Sequence, residues 1–222
     1  MNYEKTEREF YERFWKNLKG TFSFDKTHFS SEVPDKEILD FIKILKRNNF
    51  SGKILDIGCG NSRNGVLMSK YGFKVSGIEF SPEALKLSRM NAKMNKVKIS
   101  FKEGNFLEKN YRKNEFEACI DFGLFHHLRK YQQKKYLDVL DEILKPGGFF
   151  YLKVFSVESG KLPKFTPPPG RKWMKKKNHY NYLFGKEEIE KIFGKKFKIV
   201  KVLRTSKGRT LLKFWVFFLR KK

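Results

Sequence analysis

The sequence predicts an α/β fold in which strands and helices alternate, and three observations carry that prediction. The stretch KILDIGCGNSRNG, Lys53 to Gly65, reads as a strand, a glycine turn and the start of a helix. A second apolar strand, Lys74 to Ile78, ends in Glu79, which lies 19 residues past Gly60. Directly after it Ser81-Pro82-Glu83 opens a helix, with Ser81 placed as N-cap and Pro82 as first residue.

Each part of this unit has a physical reason. Ile54, Leu55 and Ile57 are apolar and suited to a buried strand. Gly58 and Gly60 permit backbone angles that a side chain forbids, so main chain can come close to a ligand. A dinucleotide fingerprint requires glycine at its first, third and sixth positions. Counting from Gly58, the sixth position is Arg63 and the next glycine is Gly65, so helix-to-strand packing of the dehydrogenase type is not expected. A P-loop is absent too, since no Gly-Lys-Ser or Gly-Lys-Thr follows. Glu79 stands where a carboxylate grips the hydroxyls of a ribose. Such a group accepts both hydrogen bonds of a diol and repels a 2′-phosphate.

In chain order, Phe10, Phe14 and Leu18 recur every four residues, with Tyr11 and Trp15 beside them, which predicts an amphipathic N-terminal helix. It either lies on the rim of the sheet or caps the ligand. The aromatic linker Gly20 to Glu32 contains His28, either a base or a solvated loop histidine. Pro34 is expected to open a helix buried through Ile38, Phe41, Ile42 and Leu45. Val97 to Phe101 reads as a third strand and Glu117 to Phe122 as a fourth, bringing Asp121 to a carboxyl end, where open α/β sheets bind ligands. Tyr131 to Leu144 is an amphipathic helix, stopped by Pro146-Gly147-Gly148 before a strand from Phe149 to Phe155. Ser156 to Tyr182 is expected to be irregular and basic, either an acceptor-lining loop or a solvated one. Lys186 to Phe193 is a helix, and Lys196–Leu203 and Thr210–Leu219 are the last strands.

The ordered motifs Asp56-Ile57-Gly58-Cys59-Gly60, Arg63-Asn64, Gly77-Ile78-Glu79-Phe80-Ser81-Pro82, Gly104-Asn105-Phe106, Phe116 to Leu128 and Leu144 to Gly148 resemble those of class I S-adenosylmethionine-dependent methyltransferases. The pattern is most similar to small-molecule members of the thiopurine and tellurite types. The resemblance implies a Rossmann-like, seven-stranded, mostly parallel sheet with helices on both faces and an antiparallel C-terminal hairpin. It implies a single domain over 1–222, with a cap at 1–33, a cofactor core at 53–155, the irregular basic loop at 156–182 and a helix and hairpin at 186–222. The cofactor would be S-adenosyl-L-methionine, held by Asp56, Gly58, Cys59, Gly60, Asn64, Glu79, Phe80, Asn105, Phe106 and Asp121. Asn105 stands where the family commonly has aspartate; its amide oxygen still accepts a hydrogen bond from the adenine amino group. Phe106 either flanks adenine or packs in the core. The catalytic candidates are His126 and His127, from a histidine pair the family often shows, with His179 and Tyr180 beside the acceptor. No histidine has metal-ligand spacing.

Composition bounds the rest. A chain of 222 residues with 40% hydrophobic and 33% charged content can bury a sizeable core. Two cysteines, Cys59 and Cys119, form no disulfide framework or CxxC pair and point to a reducing, cytoplasmic setting. No signal peptide or bilayer-length apolar run is visible. The net charge of +25 attracts polyanions, or reflects a lysine-rich solvated surface. Neither the Pro-Pro loop of amino-group nucleic-acid methyltransferases nor the Pro-Cys nucleophile of cytosine C5 enzymes occurs. A small-molecule acceptor is therefore expected, with RNA or a translation-associated protein as the alternative acceptor. A non-catalytic RNA-binding module of the same fold is the reading from a different class.

Overall fold

The computed structural model describes residues 3–17, 33–161, 167, 171–176, 179–207 and 212–222. The chain divides into two compact units, Met1–Asn110 and Tyr111–Lys222.

The first unit runs α1 (Tyr3–Asn17), α2 (Glu37–Arg47), β1 (Lys53–Ile57), α3 (Arg63–Lys70), β2 (Lys74–Glu79), α4 (Pro82–Met94) and β3 (Ile99–Glu103). Its strands lie in the order β3-β2-β1, all parallel, with Asp56 opposite Gly77 and Glu79 opposite Glu103. Parallel pairing needs a helical crossover between strands, and α3 and α4 supply the two. Ser81 caps α4 as expected, its Oγ accepting from the Ala84 N–H at 3.3 Å.

Two boundaries of this unit differ from expectation. Pro34 precedes α2 rather than opening it. Asp35 makes the turn instead: its carboxylate accepts the Glu37 N–H and its carbonyl accepts the Ile38 N–H. The third strand starts two residues late, because Lys96 takes a positive φ of 56° and the Val97 N–H returns to the Ala92 carbonyl to finish α4.

Helix packing gives a different glycine this role. A Cβ on Gly65, in α3, would stand 2.5 Å from Ser62 Oγ, 3.0 Å from Asp56 Oδ2 and 3.4 Å from Val75 Cγ1. A glycine therefore does let the helix close on the strands, two positions later than the dehydrogenase spacing.

The second unit holds β4 (Phe116–Phe122), α5 (Lys130–Ile143), β5 (Leu144–Phe155), β6 (Trp173–Lys176), β7 (His179–Tyr182), α6 (Lys186–Phe193), β8 (Phe197–Lys207) and β9 (Leu212–Lys221). Strands β4 and β5 are parallel; β5-β9 and β9-β8 are antiparallel, giving the order β4-β5-β9-β8. The two units together supply the seven strands of a mostly parallel sheet with the C-terminal hairpin, the expected fold class.

Phe125, Tyr136, Phe150, Phe184, Phe193 and Phe197 fill the core of this unit, with ring centroids 5.1–5.4 Å from Phe125 to Tyr136, Phe184 and Phe193. Inside the stretch expected to be irregular, β6 and β7 form a two-stranded antiparallel ribbon, with Trp173 opposite Tyr182. The ring of Trp173 stacks on Tyr180 at 5.7 Å, an aromatic contact that helps hold so short a pair. Leu18, residues 20–32 with His28, and Pro163, Pro168, Pro169, Gly170 and Lys177 lie outside the described residues, as does the side chain of His179.

Candidate functional site

In the first unit the candidate site is the turn between β1 and α3. Gly58 and Gly60 take positive φ values of 64° and 56°, in the left-handed region that glycine enters without strain. Backbone bonds close the turn: the Cys59 N–H reaches the Ile78 carbonyl at 3.0 Å and the Ser62 N–H the Cys59 carbonyl at 2.7 Å. Helix α4 fastens it from outside. Ser88 Oγ donates to the Gly60 carbonyl, and Asn91 Nδ2 donates to the Asn61 carbonyl at 3.0 Å.

Glu79, at the end of β2, is 6% exposed and faces this turn. Its Oε2 accepts the Gly60 N–H at 3.1 Å, and Oε1 accepts from Phe80 and Ser81 at 2.8 and 2.9 Å. Burial raises its pKa, and the three backbone donors pull it back. An ionised carboxylate offers about four acceptor sites. Three backbone donors are seen here, so the group retains acceptor capacity for a ligand hydroxyl.

Other expected donor-side residues surround the turn. Asp56 is buried. Asn105 sits after β3, where its Oδ1 accepts the Leu107 N–H at 3.0 Å, and Phe106 is buried beside it. The Asn64 Oδ1 accepts the Asp35 N–H, tying α3 to the turn before α2. Cys59 is buried, and desolvation, reinforced by the charges of Asp56 and Glu79, pushes its thiol well up. Burial thus disfavours the thiolate, the nucleophilic form of a cysteine.

Helix α1 lies against this turn. Trp15 packs with Ala84 and Leu87, and its ring occupies the space a Cβ on Gly60 would need, 2.9 Å away. Tyr11 meets Phe80 edge-on at 5.5 Å, and Arg8 reaches Glu103 at 2.7 Å.

In the second unit, chemistry gathers after β4. Asp121 is fully buried and accepts three donors: the Leu124 N–H at 2.7 Å, the Phe125 N–H at 3.1 Å and the Tyr136 hydroxyl at 2.7 Å. Burial lifts it from an ordinary 3.8 to about 7. Its carboxylate thereby sets the shape of the loop that ends in His126 and His127. His126 packs on Phe155 with centroids 4.0 Å apart. His127 is half-buried, and its Nδ1 lies 2.9 Å from the Tyr180 carbonyl. A carbonyl only accepts, so Nδ1 carries the proton and Nε2 is the basic nitrogen. Tyr180 lies under the Arg129 guanidinium at 5.3 Å, its hydroxyl pKa raised by burial.

Sequence reasoning passed over Lys153. It is 4% exposed in β5, with its ammonium 5.0 Å from the centres of both the Phe122 and Phe214 rings. The signal was present in YLKVF, a lone cation inside an apolar strand.

A parallel sheet with a glycine turn and a buried carboxylate at its carboxyl edge is the arrangement with which open α/β proteins bind nucleosides. Known proteins narrow this. Residues 54–148 match the family described as "Methyltransferase domain". An uncharacterized methyltransferase of Schizosaccharomyces pombe is 27% identical over 115 residues, 52% of this chain and 79% of that one. The mitochondrial ubiquinone biosynthesis O-methyltransferase of the same yeast is 30% identical over 124 residues, 53% of this chain and 44% of its own. Among solved structures, 1,6-didemethyltoxoflavin-N1-methyltransferase of Burkholderia thailandensis, with S-adenosylhomocysteine bound, superposes with a TM-score of 0.74 at 19% identity, covering 99% of this chain and 89% of that one. TehB of Haemophilus influenzae superposes at 0.65 and 18% identity, over 85% and 62%. These likenesses support a methyltransferase of the class I S-adenosylmethionine-dependent type, with S-adenosylmethionine as its cofactor. Among the described residues, no helix is long and apolar enough to cross a membrane.

Proposed function

We propose that the protein moves the methyl group of S-adenosylmethionine to an ionisable oxygen or nitrogen of a small, ring-bearing acceptor. The observation that carries this reading is His127, whose Nδ1–H is fixed on the Tyr180 carbonyl so that Nε2 is presented as a base.

The donor-side residues fit the cofactor. Glu79 would accept from the ribose hydroxyls, and the Gly58–Gly60 turn would let main chain approach the ribose and methionine portions. Asp56 would orient the amino group. Asn105 and Phe106 would border adenine, with Cys59, Asn64 and Phe80 completing the wall and α1 covering it as the cap. Asp121 would act at one remove, holding the loop that carries the histidines. When bound, the cofactor supplies an activated methyl on a sulfonium, so the protein's work is alignment, exclusion of water and removal of a proton. In that step the acceptor's proton passes to His127 Nε2. The cofactor would supply the methyl group and leave as S-adenosylhomocysteine, while His127 Nε2 holds the acceptor's proton.

Of the relatives above, the Burkholderia enzyme is named for the small molecule 1,6-didemethyltoxoflavin and the yeast enzyme for ubiquinone biosynthesis. RNA or protein acceptors have no counterpart among them.

Two measurements test the reading. Calorimetry should show S-adenosylmethionine binding that weakens about 10- to 150-fold in Glu79→Ala, the range for a charge-assisted hydrogen bond. Unchanged affinity would remove Glu79 from the ribose. Transfer of a labelled methyl group should be found with phenols or nitrogen heterocycles, and His127→Gln should lower kcat with little change in donor affinity. Label appearing only in tRNA, ribosomes or protein would refute a small acceptor.

A further inference from the structure

The excess of 25 positive charges is not explained by methylating a small molecule. Part of it is concentrated at the edge of the first unit opposite the donor turn, where an open groove of about 830 Å³ lies over the amino ends of the strands beside α4. Its lining contains Lys53, Lys74, Lys98, Arg89 and Lys93 and no acidic residue.

The cations are ordered. Lys53 and Lys74 are direct partners in the β1–β2 register. Lys98 immediately precedes Ile99, which pairs with Val75, so it stands level with Lys74. Arg89 and Lys93 are one turn apart on α4. Like charges opposite each other on strands, or four apart on a helix, destabilise a fold. Lys74, Arg89, Lys93 and Lys98 have no ion-pair partner among the described residues. Ser76 and Ser100, opposite each other in the β2–β3 register, add hydroxyl donors to the wall.

We propose that this groove docks the phosphodiester backbone of a single nucleic-acid strand, as a binding site separate from the methyl-transfer centre. The cations form a row three strands wide, roughly 10 Å at the usual strand spacing, with two more on the helix. They do not converge on one point, as a site for a single phosphate would.

The test is fluorescence anisotropy of a labelled oligouridylate titrated with the full chain at increasing potassium chloride. Five neutralised phosphates give a log–log slope of about −3.5, or roughly a 100-fold loss of affinity from 50 to 200 mM salt. The double variant Lys74→Glu/Lys98→Glu should bind at least tenfold more weakly. The milder Lys74→Ser/Lys98→Ser, used if the first fails to fold by circular dichroism, should flatten the slope by about 1.4. The exposed pair Lys134 and Lys135 on α5 serves as control. Equal losses in Lys134→Glu/Lys135→Glu would show a diffuse charge effect and overturn the groove. Absence of binding by the wild type would overturn it too, as would equal competition by inorganic triphosphate at matched phosphate concentration. Cofactor calorimetry reads the methyl-transfer assignment independently.

Discussion

Replacing Asp121 by asparagine tests whether a buried carboxyl shapes the histidine loop through its protonation. Burial raises its pKa to about 7, whereas in the unfolded chain it titrates near 3.8. The native state therefore holds the proton more tightly. Asp121 contributes stability that is fully present below pH 3.8 and is lost as pH rises through 7. Between pH 5 and pH 7.5 the loss attributable to this one group is about 2.5 kcal/mol. Asparagine is nearly isosteric and does not titrate. Its amide nitrogen would have to face a donor, since the Leu124 and Phe125 N–H groups point at the two oxygens, which costs about 1–3 kcal/mol at every pH. The variant is thus less stable throughout, but by a margin that depends on pH. Urea unfolding followed by tryptophan fluorescence at several pH values gives both curves. The gap between wild type and Asp121→Asn should narrow by about 2.5 kcal/mol on going from pH 5 to pH 7.5. Parallel curves would refute the reasoning, because Asp121 would then be ionised in the folded protein across the whole range.

Three further outcomes follow from the same geometry. Gly60→Ala places a Cβ in the left-handed region and 2.9 Å from the Trp15 ring. It should cost roughly 1–2 kcal/mol, a drop in Tm of about 2–8 °C by calorimetry. Trp15→Ala removes the ring that fastens α1 to Ala84 and Leu87. Tryptic cleavage within α1 should accelerate while the urea midpoint of the remainder changes little; equal acceleration everywhere would mean that α1 does not open separately. Cys59 and Cys119 are both buried, and burial disfavours the Cys59 thiolate. Iodoacetamide at pH 8 should label neither until urea is added, and native labelling of Cys59 would contradict its burial.

The local sequence determined the elements whose stability is local. The glycines of the turn, the Ser81-Pro82 cap and the apolar periodicity of Lys186–Phe193 each act over a few residues, so their readings need no distant partner. The acid 19 residues past Gly60 was legible for the same reason: a strand–helix–strand unit has a nearly fixed length. What required the tertiary structure was everything set by groups far apart in the chain. Gly65 is needed because Ser62, Asp56 and Val75 crowd it, not because of its place in a fingerprint. The tautomer of His127 depends on a carbonyl 53 residues away. The ribbon of β6 and β7 arises where proline and lysine content predicted irregularity, because strand pairing and aromatic stacking overrode composition. Lys153 reads as one more lysine among many until its ammonium is found between two rings, and the lysines of the groove read as surface bias until strand register lines them up. Charge is counted by sequence, but its effect depends on distance, and distance is fixed only when the chain folds.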